Sequence, residues 1–168
     1  MIGPRTLQAL IYASLLSAGA TNVSPAVDAS PAVDASPAVD SSPAVDIQDF
    51  RGRVVYLDFW ASWCAPCRQS FPWMEAMKNA YESRGLTVLA VNLDQNRSDA
   101  NRFLAQFHPS FDVRFDPQGT VAEHFKVQGM PTGLVVDRRG VVRFTHIGFR
   151  PADEAAYENQ LREVLKEK

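Results

Sequence analysis

Cys64 and Cys67 are the residues of this 168-residue chain best suited to covalent chemistry, because two residues separate them and the chain has no other cysteine. They follow an apolar run, Val54 to Trp60, and precede a segment with apolar residues at helical spacing, Phe71, Met74, Met77 and Tyr81. A thiol where a strand gives way to a helix faces the unpaired N–H groups of the first turn and the positive end of the helix dipole. Both favour thiolate over thiol, so Cys64 is expected to ionise below the free value of about 8.5. Arg68 adds positive charge nearby. Cys67 lies one turn inside the helix and can reach back to close a disulfide. A thiolate attacks a substrate disulfide and the second thiol resolves the mixed intermediate.

Three other uses of the pair compete. A structural staple is weak here, because closing a four-residue loop restrains the unfolded chain by only about 2 kcal/mol. A zinc site needs two further ligands, and His108, His124 and His146 are too far apart in sequence to form a local pair. Inert buried thiols are the default for single cysteines, not for this spacing at a strand-to-helix junction.

The elements that must position the pair follow from periodicity. Val54–Trp60 is apolar on both faces except at Asp58, as expected of a central strand covered on two sides. A helix follows the cysteines, with Pro72 expected to kink it. Thr87–Leu93 is a second strand, and Ser98 is placed to cap a helix carrying Phe103, Leu104 and Phe107. Phe111–Phe115 has the pattern of a short strand ending at Asp116-Pro117. Thr120 to Glu123 has the form of a capping box opening a short helix that includes Phe125. Leu134–Asp137 and Val141–Ile147 alternate like paired strands around a loop ending in Gly140, and Tyr157, Leu161, Val164 and Leu165 mark a closing amphipathic helix. The order strand, helix, strand, helix, strand, helix, hairpin, helix predicts an α/β domain: a central mixed sheet with helices on both faces.

This domain spans residues 47–168 and is long enough for one core. Residues 1–20 have the pattern of a signal peptide or N-terminal anchor: Arg5, an apolar stretch from Leu7 to Leu16, then Ala18-Gly19-Ala20. Residues 21–46 carry a Ser-Pro-Ala-Val-Asp-Ala repeat, whose proline in every unit stops helix and sheet alike, so a disordered linker is expected. With 17 Lys+Arg against 19 Asp+Glu, a net charge of −2 gives no footprint for nucleic acid. No apolar run approaches the roughly 18 residues that span a bilayer, which excludes a multi-span membrane protein.

The segment Asp58-Phe59-Trp60-Ala61-Ser62-Trp63-Cys64-Ala65-Pro66-Cys67 resembles the active-site segment of the thioredoxin superfamily, and Gly129-Met130-Pro131-Thr132 resembles its cis-proline loop. Phe71-Pro72, Asp116-Pro117-Gln118-Gly119, Val127-Gln128-Gly129 and the Asp137 to Gly140 turn are most similar to the exported TlpA and ResA branch. The resemblance implies a thioredoxin-like fold and a thiol–disulfide oxidoreductase without a cofactor. It makes Cys64 the nucleophile and Cys67 the resolving thiol. Pro131 becomes a cis-proline packed against the disulfide, leaving the Met130 backbone free to pair with an extended substrate. Trp63, Ala65, Pro66, Met130 and Thr132 are then the substrate contacts, although Trp60 and Trp63 are also expected to pack beside the disulfide.

Asp58 matches the buried carboxylate thought to manage the proton of the second cysteine. A carboxylate among Val54, Tyr56 and Phe59 should have its pKa raised by desolvation, as a base working near neutrality requires; the alternative is a strand-end aspartate reaching water. ResA-like proteins carry a glutamate three residues past the second cysteine, and Ser70 stands there instead, which moves the weight to Asp58.

Ala65-Pro66 lacks the histidine of strongly oxidising relatives, so the reduced form is less favoured and a reductant is expected. Its partners would be client proteins with a disulfide or cysteine pair and a membrane thiol reductase as electron donor, in the periplasm or an equivalent exported location. A copper-site or cytochrome assembly factor binding Cu(I) through the cysteine pair is the alternative. His124 and His146 are expected in solvated or core roles, and Met74 and Met77 as core fillers rather than copper ligands.

Overall fold

The computed structural model describes residues 45–167. The expected signal segment lies outside the described residues, as does the repeat linker up to residue 44. Val45 and Asp46, assigned to that linker, belong to the folded unit: Val45 packs on the core. The Asp46 carboxylate accepts the Gln48 N–H at 2.9 Å and caps a 3-10 turn, Ile47–Phe50.

Strand β1 (Val54–Trp60) is the axis of a five-stranded sheet in the order β3-β2-β1-β4-β5. β2 (Leu86–Asn92) pairs with it in parallel, and β3 (Asp112–Phe115) pairs in parallel with β2. On the other side β4 (Thr132–Val136) and β5 (Val142–Ile147) are antiparallel, giving the mixed sheet that the pattern predicts. All seven residues of β1 are buried because helices cover both of its faces, which explains its unbroken apolar run.

Helices α1 (Cys67–Tyr81), α2 (Arg97–Phe107) and α4 (Glu154–Lys166) supply one core with Val54, Tyr56 and Trp60. The short α3 (Thr120–His124) and the Ile47 turn close the opposite core on Val55, Leu57 and Phe59. Alternation along β1 therefore sorts its side chains between two cores, and Asp58 falls on the α1 and α4 side.

An aromatic cluster ties the front of α1 to α2. Phe71 lies edge-on to Trp60 at 4.8 Å and to Phe103 at 4.8 Å, and Phe103 stacks on Phe107 at 4.6 Å. Each such pair is worth about 0.5–1.5 kcal/mol beyond its buried area. The Arg68 guanidinium lies over Phe103 and Phe107 and donates to Gln106, so its charge is engaged by α2. Pro72 is exposed, and α1 continues through it as one helix. Met74 and Met77 are buried on its inner face.

Four local expectations need correction. The α2 cap is Asn96, and Ser98 lies inside the helix. Thr120 does not cap α3: the buried Asp116 carboxylate accepts the N–H groups of Thr120 at 2.9 Å, Val121 at 2.9 Å and Ala122 at 3.1 Å. Phe125 stands just past the end of α3 as its C-cap. Strand β2 also starts and stops one residue earlier than the apolar run suggests.

Candidate active site

Cys64 and Cys67 form a disulfide with Cα atoms 5.3 Å apart, at the point where β1 has ended and α1 begins. Pro66 occupies the N-cap, where the missing N–H of proline costs nothing. The turn is wound by Cys64 N–H donating to Ala61 O at 3.1 Å and Gln69 N–H donating to Pro66 O at 3.0 Å. The Cys67 N–H donates to Cys64 Sγ at 3.2 Å. A sulfur that accepts a backbone N–H at a helix start is stabilised most when it carries negative charge. Cys67 is fully enclosed and Cys64 is 4% exposed, so of the two residues only Cys64 meets solvent.

Ser70 is buried and donates its hydroxyl to Cys67 O at 3.1 Å, a bond within the helix that offers no ionisable group to the pair. Asp58 is 1% exposed, which excludes the strand-end reading, and its Oδ2 has no hydrogen-bond partner among the described residues. Burial alone holds its carboxyl well above the usual range. Burial, followed by the adjacent Asp58 charge, pushes the Tyr56 hydroxyl up as well.

The Met130–Pro131 peptide is cis. Pro131 O accepts the Gly148 N–H at 2.8 Å, tying the loop to the end of β5, while the Met130 backbone takes part in no loop hydrogen bond among the described residues. Thr132 departs from its expected role as a substrate contact. Its side chain is 2% exposed and its hydroxyl donates to Gly129 O at 2.7 Å, so it braces the loop from within.

The two tryptophans also separate. Trp60 is fully buried in the aromatic cluster, whereas Trp63 is 71% exposed and does not pack as a core residue, because it lies in the turn beyond the end of β1. With exposed Ala65 and Pro66 and half-buried Met130, it leaves the apolar side chains of this end of the sheet open to an incoming chain. His124 is exposed on α3, and His146 is half-buried on β5.

Sequence reasoning missed Asp94. Only 4% exposed, its carboxylate accepts Ser62 N–H at 2.9 Å, Ser62 Oγ–H at 2.9 Å and Asn92 Nδ2–H at 2.8 Å. Asn92 in turn accepts the Asp94 N–H at 3.1 Å. This network fastens the turn before Cys64 to the end of β2. Its signal was Asn92-Leu93-Asp94, two side chains able to hold loop backbone directly after a buried strand.

A model of the Redoxin family matches residues 25–161. Thiol-disulfide oxidoreductase ResA of Geobacillus kaustophilus (strain HTA426) is 32% identical over 97 residues, 58% of this chain and 56% of that protein. Thioredoxin-like protein YneN of Bacillus subtilis (strain 168) is 34% identical over 105 residues, 61% of each chain. The chain thus spans little more than half the length of the curated relatives it matches. A crystal structure described as thiol:disulfide interchange protein DsbE from Chlorobium tepidum is 53% identical, with a TM-score of 0.70 over 72% of this chain and 86% of that one. StoA from Bacillus subtilis is 25% identical, with a TM-score of 0.57 over 65% of this chain and 84% of its own.

Proposed function

This chain belongs to the Redoxin family, within the thioredoxin superfamily, and on that premise we propose that it is an exported thiol–disulfide oxidoreductase that reduces disulfides in client proteins. The observation that carries the reading is the Cys64–Cys67 disulfide at the head of α1, its leading sulfur accepting the Cys67 N–H on the same face of the sheet as the buried, unpartnered Asp58.

In the reduced protein the Cys64 thiolate attacks one sulfur of a client disulfide. A mixed disulfide forms and one client thiolate leaves. Asp58 takes the proton of Cys67, whose thiolate then attacks Cys64 Sγ, forms the internal disulfide and expels the second client thiolate. Pro131 shields the pair. The Met130 backbone and the exposed Trp63, Ala65 and Pro66 hold the client segment.

Regeneration requires a membrane thiol reductase as electron donor. Export to the periplasm or an equivalent compartment is supported by Arg5, the Leu7 to Leu16 stretch and Ala18-Gly19-Ala20. Residues 1–20 would be the leader or an uncleaved tether and 21–46 the spacer that follows it. No described helix is long and apolar enough to cross a membrane. No three His, Cys, Asp or Glu side chains cluster among the described residues, so the copper-binding alternative would rest on the reduced cysteine pair itself.

Reduction of insulin disulfides by the protein with dithiothreitol tests the assignment. Cys64→Ser is expected to abolish catalysis, and Cys67→Ser, reduced and then freed of dithiothreitol, to leave a mixed disulfide with insulin detectable by mass. Catalysis retained by Cys64→Ser would contradict the assignment.

A further inference from the structure

Arginines gather at the end of the sheet remote from the cysteines. Arg51 and Arg53 precede the start of β1, and Arg84 precedes the start of β2, which is parallel to it. Arg138 and Arg139 follow β4, which is antiparallel to β1 and so finishes at the same end. Cys64 follows the opposite end of β1, about 20 Å away along a seven-residue strand. Two hydrogen bonds fasten the arginine-bearing turns to each other. Gly52 N–H donates to Arg138 O at 2.8 Å, and Arg138 Nη1 donates to Gly52 O at 3.0 Å. The same Nη1 reaches over the start of β2, where a Cβ on Gly85 would stand 2.9 Å from it.

Hydrogen bonding holds these guanidiniums without neutralising them. Arg51 donates to Gln48 Oε1 at 2.5 Å, and Arg53 donates to Thr87 Oγ1 at 2.5 Å and Leu86 O at 2.6 Å. Arg138 adds a bond to the backbone oxygen of Glu167 at 3.3 Å, and Arg84 lies over the Tyr81 ring. Every acceptor is a neutral amide, hydroxyl, carbonyl or ring, and none of these four arginines enters an ion pair among the described residues. Of the carboxylates bordering the turns, Glu82 is held by Lys78 and Glu167 by Arg143. Asp137 is shared between Arg139 at 3.0 Å and Arg143 at 3.7 Å, which leaves Asp49. A chain of net charge −2 thus carries a fixed positive end.

The same end carries exposed aliphatic side chains. Val141 and Val142 continue the turn from Arg138 and Arg139 and are 50% and 40% exposed. Uncompensated guanidiniums beside exposed valines match the interface of a bilayer containing acidic lipids. Lipid phosphates take the charge, and aliphatic groups enter the boundary of the acyl chains. An acidic protein or a soluble polyanion would engage the arginines and gain nothing from the valines.

We propose that the turns Arg51 to Arg53 and Arg138 to Val142 form a docking face for an anionic lipid bilayer. Docking there turns the Cys64–Cys67 end away from the lipid, toward clients. The inference does not depend on the redox reading of the cysteine pair. Each cation near such a surface is worth about fivefold in affinity, so a few arginines make a reversible contact that leaves the domain able to turn toward a membrane donor.

The test is cosedimentation of the full-length protein with vesicles of phosphatidylglycerol and phosphatidylcholine in equal parts, and with vesicles of phosphatidylcholine alone. Residues 1–20 are common to wild type and variants, so the ratio of the two affinities is the readout. At about 0.05 M salt the wild type should prefer the acidic vesicles about tenfold or more, and about 0.5 M salt should abolish the preference. Arg51→Gln/Arg139→Gln removes two exposed guanidiniums and keeps Arg138, which joins the turns; it should lose most of the preference. Val141→Ser/Val142→Ser should bind acidic vesicles severalfold more weakly and stay salt-sensitive. Melting temperatures close to wild type establish that both variants are folded. No preference in the wild type, or one that the arginine variant retains, would overturn the proposal. Wild-type affinity in the valine variant would overturn the choice of a bilayer. Asp34→Asn/Asp40→Asn tests the other source of negative charge: a preference that appears only in this variant would make the chain's own acidic repeat the occupant of the arginines and overturn the bilayer.

Discussion

A carboxyl removed from water and given no hydrogen-bond donor keeps its proton above its ordinary range, and for Asp58 this has a thermodynamic signature as well as a catalytic use. Well below its ordinary value of 3.8, folded and unfolded chains are both protonated there and burial carries no pH-dependent penalty. As pH rises above that value, the unfolded chain ionises while the folded one holds its proton. The folded state then loses relative stability until the pH passes the raised folded value, at about 1.4 kcal/mol per pH unit. Asp58→Ala removes this dependence, while the cavity it creates costs the same at every pH. In the oxidised protein the melting temperature of the variant minus that of wild type should therefore be several degrees more positive at pH 7.5 than at pH 4. An equal difference at both pH values would mean that Asp58 ionises in the fold as it does in water.

At the scale of elements, the reactive turn is held from both sides: from α2 by aromatic packing and from the end of β2 by Asp94. Asp94→Ala leaves the Ser62 N–H, the Ser62 hydroxyl and the Asn92 amide without their acceptor. A loss of about 2–3 kcal/mol in denaturant unfolding is expected, with slower attack by Cys64 because the turn before it is no longer fixed. Unaltered unfolding would show that the network does not hold the turn. These contacts also mark where sequence reading stops. The strands and helices were legible because Val54–Trp60 and the Phe71-Met74-Met77-Tyr81 spacing carry their burial in their period. Trp63 carries no such signal, since it lies in a turn where neither the two-residue nor the 3.6-residue period applies, and its exposure emerges only in three dimensions. The α3 cap was misassigned because Asp116 reaches its N–H groups across the Pro117-Gln118-Gly119 turn, outside the four-residue window of a capping box. Thr132 is expected as a client contact, but its hydroxyl is turned inward to Gly129.

For the whole molecule, the sheet order brings the head of α1, the Pro131 loop and the end of β5 to one end, and it sets the Arg51 to Arg53 and Arg138 to Val142 turns at the other. The cysteine pair was legible from spacing alone. The arginine-bearing end was not, because Gly52 and Arg138 are 86 residues apart in sequence and only the strand register brings their turns together. The central claim is that the pair delivers electrons to clients, and its equilibrium reduction potential tests this most directly. The full-length protein would be equilibrated in glutathione or dithiothreitol buffers and the Cys64–Cys67 disulfide quantified by thiol alkylation and mass. Ala65-Pro66 adds no thiolate-stabilising histidine, so the account predicts a potential below about −220 mV, on the reducing side with thioredoxin. A potential near about −120 mV would make the protein an oxidant and contradict the account.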